Sequence, residues 1–292
     1  MKDCIIIGSG VAGISAALTL KATGKDFSMF GSTKLSRKIS AAEMIRNYPG
    51  LSKVTGEAFC VALQNQLREE GIPIIEEKVT GVYALKEKFS VLTDKGNTYD
   101  SKTVILACGV ESIKQIDGEE EFFGRGVSYC ATCDGFLYKG KTIAIFCTSK
   151  DLEHEITYLS EIAQKVYLIP MYKNVEASGE NITIIQKMPK RIEGKMRAER
   201  MIFSAPVIED SDCLNVDGIF MLRESVSPAV LVGGLNVEHG HVQVERDLST
   251  NLKGCFAAGD CTGRPYQYAK AAGEGNVAAH SVTEYLNTTK KG

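Results

Sequence analysis

The chain opens with a short apolar run that leads through a glycine-rich turn into a longer periodic segment. The run Ile5-Ile6-Ile7 ends in Gly8-Ser9-Gly10-Val11-Ala12-Gly13, and an alanine-rich segment then continues to Gly24. A short apolar run followed by glycines and a longer apolar periodicity is typical of a buried strand, a tight turn and a helix. The pattern therefore predicts a βα unit at the start of the chain.

Similar patterns recur along the outer parts of the chain. Phe59, Leu63 and Leu67 recur every four residues between Thr55 and Gly71, which predicts a second helix. The remaining predictions for these parts are short strands from Ile72 onward with a turn at 95–97, a buried strand at 103–109, a strand at 254–260, and a final helix that opens at 271–275.

A second strand–turn–helix pattern lies between these ends. Residues 141–146 predict a strand, 151–163 a helix and 166–169 the next strand. The chain is therefore predicted to be α/β, with two Rossmann-like domains of three layers (ββα), the second inserted into the first. We expect the outer domain to comprise 1–112 and 242–292, and the inserted domain to comprise 113–241.

Composition narrows the class of protein without naming a function. Of the 292 residues, 44% are hydrophobic and 24% are charged, which is ordinary for a globular protein. Lys+Arg 34 against Asp+Glu 36 gives a net charge of −2, so no basic field points to nucleic acid. No apolar run approaches about 18 residues, and Met1-Lys2-Asp3-Cys4 runs straight into a strand. We expect no membrane span and a cytoplasmic location.

The turn at residues 8–13 has the spacing of a dinucleotide-binding fingerprint, G-x-G-x-x-G, between a strand and a helix. Gly8 allows the tight turn, Gly10 lets the backbone approach a pyrophosphate, and Gly13 lets the helix pack on the strand. The helix then presents free N–H groups to phosphate. Candidate binding residues are therefore Gly8, Ser9, Gly10, Val11, Ala12 and Gly13, and the alternative is a βα turn that binds no ligand.

Among nine cysteines, only Cys130 and Cys133 stand close enough to form a motif. Two sulfurs one helical turn apart can form a disulfide, and a helix amino end makes a nearby thiol reactive. Asp134 follows directly and could move a proton to or from the leaving thiolate. The alternative is half of a zinc site, but His239-Gly240-His241 and Cys255/Cys261 lack the form of a second half. We expect no metal, and we expect the other seven cysteines to be small buried side chains: Cys4, Cys60, Cys108, Cys147, Cys213, Cys255 and Cys261.

Four stretches together resemble a known family. They are GSGVAG at 8–13, RNYPG at 46–50, CATCDG at 130–135, and AAGDC at 257–261 with AAGEG at 271–275. In this order they resemble the low-molecular-weight thioredoxin reductase family. The resemblance implies an FAD domain built from both chain ends, an inserted domain that carries the dithiol, and a homodimer.

The resemblance also implies roles for individual residues. Residues 8–13 hold the FAD pyrophosphate, Cys133 faces the flavin, and Cys130 attacks the disulfide of the partner protein. Further FAD contacts are implied at Lys38, Asn47, Val79, Ala107, Gly109, Gly259, Asp260, Gln267 and Tyr268, with Asn47, Gln267 and Tyr268 beside the ring and Asp260 as a hydrogen-bond acceptor.

Three positions of the FAD half depart from the expected pattern. Gly31 follows the second strand where an acidic residue normally holds the adenosine ribose. Lys38 takes the place of a family glutamine, and Tyr266 stands where an arginine is usual before Gln267. These changes affect cofactor contacts but leave the pyrophosphate turn intact.

The inserted domain departs further, because both parts of an NADPH site are missing. Its first strand is followed by Cys147-Thr148-Ser149-Lys150-Asp151-Leu152, which contains no glycine to let a pyrophosphate approach. The next strand ends in Ile169-Pro170-Met171-Tyr172-Lys173 rather than in the arginines that would hold a 2′-phosphate. We infer that this domain keeps its fold but has lost its nucleotide site.

A dithiol flavoenzyme without a hydride donor needs a one-electron donor protein, for which ferredoxin or flavodoxin is suitable. The chain is then similar to the ferredoxin-dependent flavin thioredoxin reductases, which act without pyridine nucleotides. Ferredoxins are generally acidic, so a basic docking face is expected. One candidate comprises Lys187, Lys190, Arg191, Lys195, Arg197 and Arg200, which could equally be a solvated hairpin, and a second comprises Lys34, Arg37 and Lys38.

Three other functions remain open at this point. The first is an NADPH-dependent thioredoxin reductase with a degenerate nucleotide site. The second is a flavoprotein that uses its dithiol on a disulfide other than that of thioredoxin. The third is a redox sensor or binding module without enzymatic activity, against which the intact CATCDG motif argues.

Overall fold

The computed structural model describes residues 1–110, 115–223 and 228–289, and the chain folds as two compact units. Among these residues, the first unit contains 1–110 and 228–289, and the second contains 115–223. The first unit is therefore assembled from both ends of the chain, as the sequence predicts.

The elements are numbered here in chain order. Residues 1–110 form β1 (Lys2–Ile7), α1 (Val11–Ala22), β2 (Phe27–Phe30), α2 (Arg37–Ser40), α3 (Gly56–Glu69), β3 (Ile74–Ile75), β4 (Val79–Ala84), β5 (Phe89–Thr93) and β6 (Thr98–Leu106). Residues 115–223 form β7 (Val127–Ser128), α4 (Ala131–Asp134), β8 (Thr142–Cys147), α5 (Glu153–Ile162), β9 (Lys165–Pro170), β10 (Ile182–Ile184), β11 (Pro189–Gly194), β12 (Ala198–Phe203), β13 (Cys213–Asn215) and β14 (Gly218–Leu222). Residues 228–289 form α6 (Pro228–Leu231), β15 (Val237–Glu238), β16 (His241–Val242), β17 (Cys255–Ala257) and α7 (Tyr268–Thr289). No helix among these described elements is long and apolar enough to cross a membrane.

A seven-stranded sheet forms the centre of the first unit. Its order is β3-β2-β1-β6-β5-β4, and β17 also pairs with β6. Strands β3, β2, β1, β6 and β17 run parallel, while β5 pairs antiparallel with both of its neighbours. Successive side chains of β1 enter opposite cores, since Ile6 packs with the helices and Ile5 and Ile7 pack on the other face. This two-sided burial explains why β1 is a continuous apolar run.

Helices α1 and α7 pack closely because small residues line their contact. A Cβ on Gly275 of α7 would lie 2.1 Å from the Ala12 carbonyl oxygen of α1. The Ser15 hydroxyl of α1 also donates to the Ala272 carbonyl oxygen at 2.6 Å. This contact holds the carboxyl-terminal helix against the glycine turn at the start of the chain.

The second unit is built on a parallel sheet with the order β10-β9-β8-β14-β7. A separate antiparallel sheet, β11-β12-β13, lies in the same unit. The predicted strand–helix–strand is confirmed as β8, α5 and β9. The helix begins at Glu153 rather than at Asp151, because residues Lys150–Leu152 form a 3₁₀ turn. Both units are therefore of the predicted α/β class.

One predicted domain border differs from the observed division. Residues 228–241 were expected in the inserted domain, but the structure places them in the first unit. Leu231, Val232 and Leu235 are buried there in the core that contains Ile5 and Val82. Residues 228–241 belong to the first unit because their apolar side chains are buried against β4. So short a segment shows no hydrophobic periodicity from which this burial could be predicted. The border expected near residue 113 lies outside the described residues.

We expect Gly275→Ala to destabilise the first unit, because the added methyl group would lie 2.1 Å from the Ala12 carbonyl oxygen. Overpacking of this kind costs about 1–3 kcal/mol. Gly273→Ala is the matched control on the same helix, because a Cβ there meets no atom within 4 Å. Urea unfolding followed by circular dichroism measures both variants, and equal midpoints would contradict the packing argument.

Candidate functional site

The three glycines of the first turn have distinct surroundings. Gly8 has a φ of +120°, and a Cβ on it would lie 2.2 Å from the Ala107 carbonyl oxygen at the end of β6. A Cβ on Gly13 would lie 1.9 Å from the Gly8 carbonyl oxygen. A Cβ on Gly10 would meet no atom within 4 Å. Gly8 and Gly13 are thus needed for packing inside the protein, whereas Gly10 borders open space.

The amino end of α1 is free to receive an anion. Gly10 is the N-cap residue and offers no side-chain hydrogen bond, and the first turn of the helix contains no acidic residue. The N–H groups of a first helical turn lack partners within the helix, and the helix dipole makes that end positive. A pyrophosphate group, as in FAD, fits this arrangement of open space and free donors.

The segment after β17 lies against the same helix end. A Cβ on Gly259 would lie 2.8 Å from Cβ of Ala12, and Gly259 has a φ of +89°. The Gly259 N–H donates to a carboxylate oxygen of Glu274 at 2.8 Å. Lys270 donates to the carbonyl oxygens of Gly259 and Gly263 at 2.9 and 2.7 Å, and it pairs with Glu274 at 3.2 Å.

Lys270 and Glu274 were not singled out from the sequence. They lie four residues apart on α7, a spacing that brings side chains together on one helix face. That spacing was a usable signal, but the contact of both side chains with the Gly259 loop depends on the tertiary structure.

Asp260, the predicted hydrogen-bond acceptor, follows Gly259 in the loop after β17. Burial raises the pKa of its carboxyl group above the ordinary value, while the positive charges of Lys38 and Lys270 act in the opposite direction. The effect of burial is the larger, so the net shift of this pKa is upward. The carboxyl oxygens of Asp260 are suited to accept hydrogen bonds from ligand hydroxyl groups.

The structure brings together the three residues expected beside the flavin ring and Lys38, another expected FAD contact. Asn47 donates its amide Nδ2 to Oε1 of Gln267 at 2.7 Å. The Tyr268 hydroxyl donates to the backbone carbonyl oxygen of Lys38 at 3.0 Å, and Nζ of Lys38 donates to the carbonyl oxygen of Val110. Residues separated by more than 200 positions in the sequence thus form one side of the candidate cofactor site.

Ala107 and Gly109 lie just beyond the end of β6, next to the glycine turn. The expected contact at Val79 has a different character. Val79 begins β4, and its side chain is buried in the core of the first unit. Only its backbone is therefore suited to meet a ligand.

Position 31 has a structural reason to be glycine. A Cβ on Gly31 would lie 2.4 Å from the Ser9 hydroxyl oxygen and 2.6 Å from its Cβ. The Ser9 hydroxyl itself donates to the carbonyl oxygen of Ser32 at 2.9 Å. An acidic side chain cannot be accommodated at position 31 without moving Ser9, which explains why the usual ribose-binding carboxylate is missing there.

Cys130 and Cys133 form a disulfide in the second unit, with an S–S distance of 2.08 Å and a Cα–Cα distance of 5.3 Å. Cys130 is the N-cap residue of α4, and its sulfur accepts a hydrogen bond from the Cys133 N–H at 3.1 Å. A backbone donor at this position stabilises a thiolate on Cys130 when the disulfide is opened. The predicted spacing of the two sulfurs is confirmed.

Ser128 connects Asp134 to the dithiol and was not anticipated from the sequence. Its hydroxyl donates to a carboxylate oxygen of Asp134 at 2.6 Å and accepts from the Cys130 N–H at 3.1 Å. The Asp134 carboxylate is thereby held in a fixed orientation beside the redox segment. A single serine on a short strand gave no pattern from which this role could be read.

The turn after β8 is filled by the chain's own polar groups. The Tyr172 hydroxyl and the Glu176 N–H both donate to the Glu153 carboxylate, at 2.9 and 3.0 Å. Glu153 and Glu155 stand in the first turn of α5, and Lys150 pairs with Glu176 at 2.5 Å. Acidic side chains at a helix amino end repel a pyrophosphate and already satisfy the helix dipole. The predicted absence of a glycine cradle thus coincides with an unsuitable charge.

A buried ion pair lies at the end of β14, next to this turn. Arg223 is 1% exposed and Glu119 is 0% exposed, and the guanidinium donates to both carboxylate oxygens, at 2.9 and 2.7 Å. The guanidinium also lies 4.9 Å from the centre of the Phe146 ring of β8, and Tyr129 donates its hydroxyl to Glu119 at 2.6 Å. In open α/β sheets, ligands bind at the carboxyl ends of adjacent central strands such as β8 and β14. Arg223 fills part of that position.

Most other cysteines are buried in apolar surroundings, as expected. Burial raises the pKa of Cys147 to about 11 and those of Cys4 and Cys255 to about 12. Cys60 and Cys261 are also buried, whereas Cys108 and Cys213 are partly exposed. A thiol with such a raised pKa is a poor nucleophile at neutral pH.

We expect Gly10→Ala to weaken FAD binding without unfolding the protein. The added methyl group meets no protein atom within 4 Å, but it projects into the space expected for the pyrophosphate. The dissociation constant of FAD should rise roughly tenfold, which corresponds to about 1.4 kcal/mol. Titration of the flavin-free protein measures the constant, and thermal unfolding of the flavin-free protein should be unchanged. Unaltered FAD affinity would contradict the assignment of this turn.

Alkylation at pH 8 should modify Cys130 and Cys133 only after reduction of their disulfide. Cys4, Cys147 and Cys255 should stay unmodified in both states, because a thiol whose pKa is raised to about 11 or 12 remains protonated until the pH approaches that value. Mass spectrometry of the digested protein identifies the modified residues. Modification of Cys147 as fast as that of Cys133 would contradict the structure.

Comparison with known proteins agrees with this geometry. The family model described as pyridine nucleotide-disulphide oxidoreductase matches residues 2–150. A thioredoxin reductase of Helicobacter pylori is 32% identical, over 98% of this chain and 99% of its own. A crystal structure of a ferredoxin-flavin thioredoxin reductase from Clostridium acetobutylicum has a TM-score of 0.90 and 42% identity, covering 100% of this chain and 99% of that one.

A thioredoxin reductase structure from Gloeobacter violaceus also matches, with a TM-score of 0.79 and 25% identity over 98% of this chain and 94% of that one. These full-length similarities agree with the glycine turn, the dithiol and the assembly of the first unit from both chain ends. The chain belongs to the thioredoxin reductase family of FAD-binding pyridine nucleotide-disulphide oxidoreductases.

Proposed function

We propose that this protein is an FAD-dependent disulfide oxidoreductase that reduces thioredoxin through Cys130 and Cys133, with electrons from reduced ferredoxin rather than NADPH. The 42% identical protein from Clostridium acetobutylicum is named a ferredoxin-flavin thioredoxin reductase, and it covers this chain from end to end. The family supplies the disulfide chemistry, and the residues of the second unit decide the electron donor.

The observation that carries this proposal is the amino end of α5. Glu153 holds that position and accepts hydrogen bonds from Tyr172 and Glu176. A nicotinamide dinucleotide needs glycines and free N–H groups there, together with cations for its 2′-phosphate. The structure has the carboxylates of Glu153 and Glu155 at this helix end instead, and Arg223 forms a buried ion pair with Glu119.

The first unit supplies the FAD site in this proposal. The turn at 8–13 and the amino end of α1 bind the pyrophosphate, Asp260 accepts ligand hydroxyl groups, and Asn47, Gln267 and Tyr268 lie beside the ring. When bound, FAD accepts electrons singly and passes them on as a pair, which suits a one-electron donor and a two-electron disulfide.

The dithiol then carries the electron pair to the substrate. Two electrons and two protons convert the Cys130–Cys133 disulfide into two thiols, with Cys133 as the sulfur that faces the flavin. The Cys130 thiolate attacks the thioredoxin disulfide and forms a mixed disulfide, and one thioredoxin sulfur leaves as a thiolate. Cys133 attacks Cys130, re-forms the original disulfide and releases reduced thioredoxin.

Cys130 needs both activation and access for this attack. The Cys133 N–H points at its sulfur, and the nearby Asp134, oriented by Ser128, takes up or returns the proton. Cys130 is 7% exposed with the disulfide closed. A protein substrate cannot reach a residue so covered, so the mechanism includes a step that exposes Cys130.

A homodimer and a cytoplasmic location complete the proposal. The dimer is carried over from the family. The location is supported by the seven cysteines that form no disulfide in the structure, since thiols persist in a reducing compartment.

Anaerobic stopped-flow mixing tests the choice of donor. Reduced ferredoxin should bleach the flavin absorption of the holoenzyme, and oxidised thioredoxin should then restore it while gaining two thiols per turnover. NADPH at the same concentration should leave the absorption unchanged, because the site at α5 does not accept it. Rapid bleaching by NADPH would overturn the proposal.

Cys133→Ser is the matched control for the disulfide step. Its flavin should still be bleached by ferredoxin, but thioredoxin turnover should be abolished because no disulfide can form with Cys130. If a different oxidised protein disulfide restores the flavin of the wild type and thioredoxin does not, the substrate assignment is wrong and the donor assignment stands.

A further inference from the structure

A surface region beside the candidate ring contacts combines exposed cations with exposed large side chains. Here it is called the Arg46 patch, and it consists of Met44, Arg46, Asn47, Arg264, Tyr266 and Gln267. The Asn47–Gln267 hydrogen bond of 2.7 Å joins its two segments. Arg46 and Tyr266 directly precede these two residues in the chain.

The second segment of the patch is held by contacts of Tyr266. The Arg264 guanidinium lies 5.2 Å from the centre of the Tyr266 ring. The Tyr266 hydroxyl is 2.7 Å from Nε2 of His241. Tyr266 is 39% exposed and Met44 is 44% exposed, so neither residue contributes much to the core. Aromatic, methionine and arginine side chains are the types enriched at protein interfaces.

The charge of the patch is positive and largely uncompensated. Glu43 is the only acidic residue within three positions of Arg46, and there is none between Cys261 and Gly273. Within the described residues, Arg46 forms no ion pair, and the contact of Arg264 is with the Tyr266 ring. Both arginines are exposed. Their charge is therefore available to an acidic partner.

The basic stretch on β11 and β12 differs in this respect. Arg191 and Arg200 both pair with Glu193, at 2.5 and 3.1 Å. Arg197 donates to the backbone carbonyl oxygen of Asp217. Lys187 likewise donates to the backbone carbonyl oxygen of Pro206. The sequence density of cations is higher there, but local acceptors already hold four of them.

We propose that the Arg46 patch is the docking surface for the acidic one-electron carrier that reduces this enzyme. The inference rests on the proposed function, which places the flavin ring beside Asn47 and Gln267. An electron has the shortest path to the ring from a partner bound over these two residues. Redox encounters bury roughly 1,200 Å² or less, so a small charged patch with an aromatic centre is sufficient.

Reduction of one disulfide needs two electrons, so the carrier must dock on the patch twice. Each docking event oxidises one reduced ferredoxin and transfers one electron, so two ferredoxins are oxidised for each disulfide opened, and two protons come from solvent. The carrier must therefore leave and be replaced between the two transfers. Attraction by exposed charges raises the rate of association without requiring a long-lived complex.

The double variant Arg46→Glu/Arg264→Glu tests the surface in the holoenzyme. With a reduced acidic [4Fe–4S] ferredoxin at low ionic strength, the second-order rate of flavin bleaching should fall at least roughly tenfold. The difference from wild type should shrink as salt is added, because exposed charges are screened. Bleaching by dithionite, a small donor that needs no docking, should be unchanged.

The matched control is Lys190→Glu/Lys195→Glu, which makes the same charge change on the β11–β12 hairpin. Its rate of bleaching by ferredoxin should equal that of wild type. The inference would be overturned if ferredoxin bleached the hairpin variant slowly and the Arg46/Arg264 variant at the wild-type rate. It would also be overturned if both variants were bleached at the wild-type rate. If ferredoxin fails to bleach even the wild type, the proposed function fails and this inference fails with it.

Discussion

The contact between the first glycine turn and the carboxyl-terminal segment is the constraint on which the first unit depends. The Gly8 carbonyl oxygen touches α1 at Gly13, and α7 approaches the Ala12 carbonyl oxygen at Gly275. Each approach is closer than a Cβ allows, so the absence of side chains at these positions sets the distance between the helices. The same contact places Gly259 and Asp260 beside the amino end of α1. The cofactor site is thus a consequence of how the two ends of the chain pack.

The two βα turns of the protein differ in how well they suit a dinucleotide. One follows β1 in the first unit and the other follows β8 in the second, and each leads into a helix. In the first unit, the helix begins without a cap or an acidic residue, beside open space at Gly10. In the second, Glu153 and Glu155 stand in the first turn, and Tyr172 and Glu176 bond to Glu153. The difference is one of local charge and volume, because the strand–helix framework is the same in both units.

The second unit carries the dithiol and, in the proposed function, binds no nucleotide. The buried Arg223–Glu119 pair and the Tyr129 hydroxyl tie the end of β14 to the segment that leads into Cys130. Buried ion pairs do not by themselves stabilise a fold, but breaking one is costly because it leaves a charge unpaired. The polar groups at the carboxyl end of β14 therefore also hold the segment before the dithiol. In the first unit, exposed arginines flank Asn47 and Gln267, where we propose that the electron carrier docks.

Much of this could be predicted from the sequence, because the features concerned are local. The glycine spacing at 8–13, the spacing of Cys130 and Cys133 and the absence of glycine at 147–152 each act within a few residues. The helix with Phe59, Leu63 and Leu67 could be predicted for the same reason, because its apolar residues recur in successive helical turns. Such features depend on neighbouring residues, so the sequence alone defines them.

Only the tertiary structure decided the features that join distant residues. Residues 228–241 belong to the first unit because Leu231 and Val232 are buried in the core beside β4. Position 31 is glycine because Ser9 lies against it, and Lys270 with Glu274 holds a loop whose position depends on β17. The charges of Arg191 and Arg200 are both paired with Glu193, while those of Arg46 and Arg264 remain exposed. Each of these features depends on which groups are brought within contact distance when the chain folds. Such long-range contacts cannot be predicted from local periodicity and spacing.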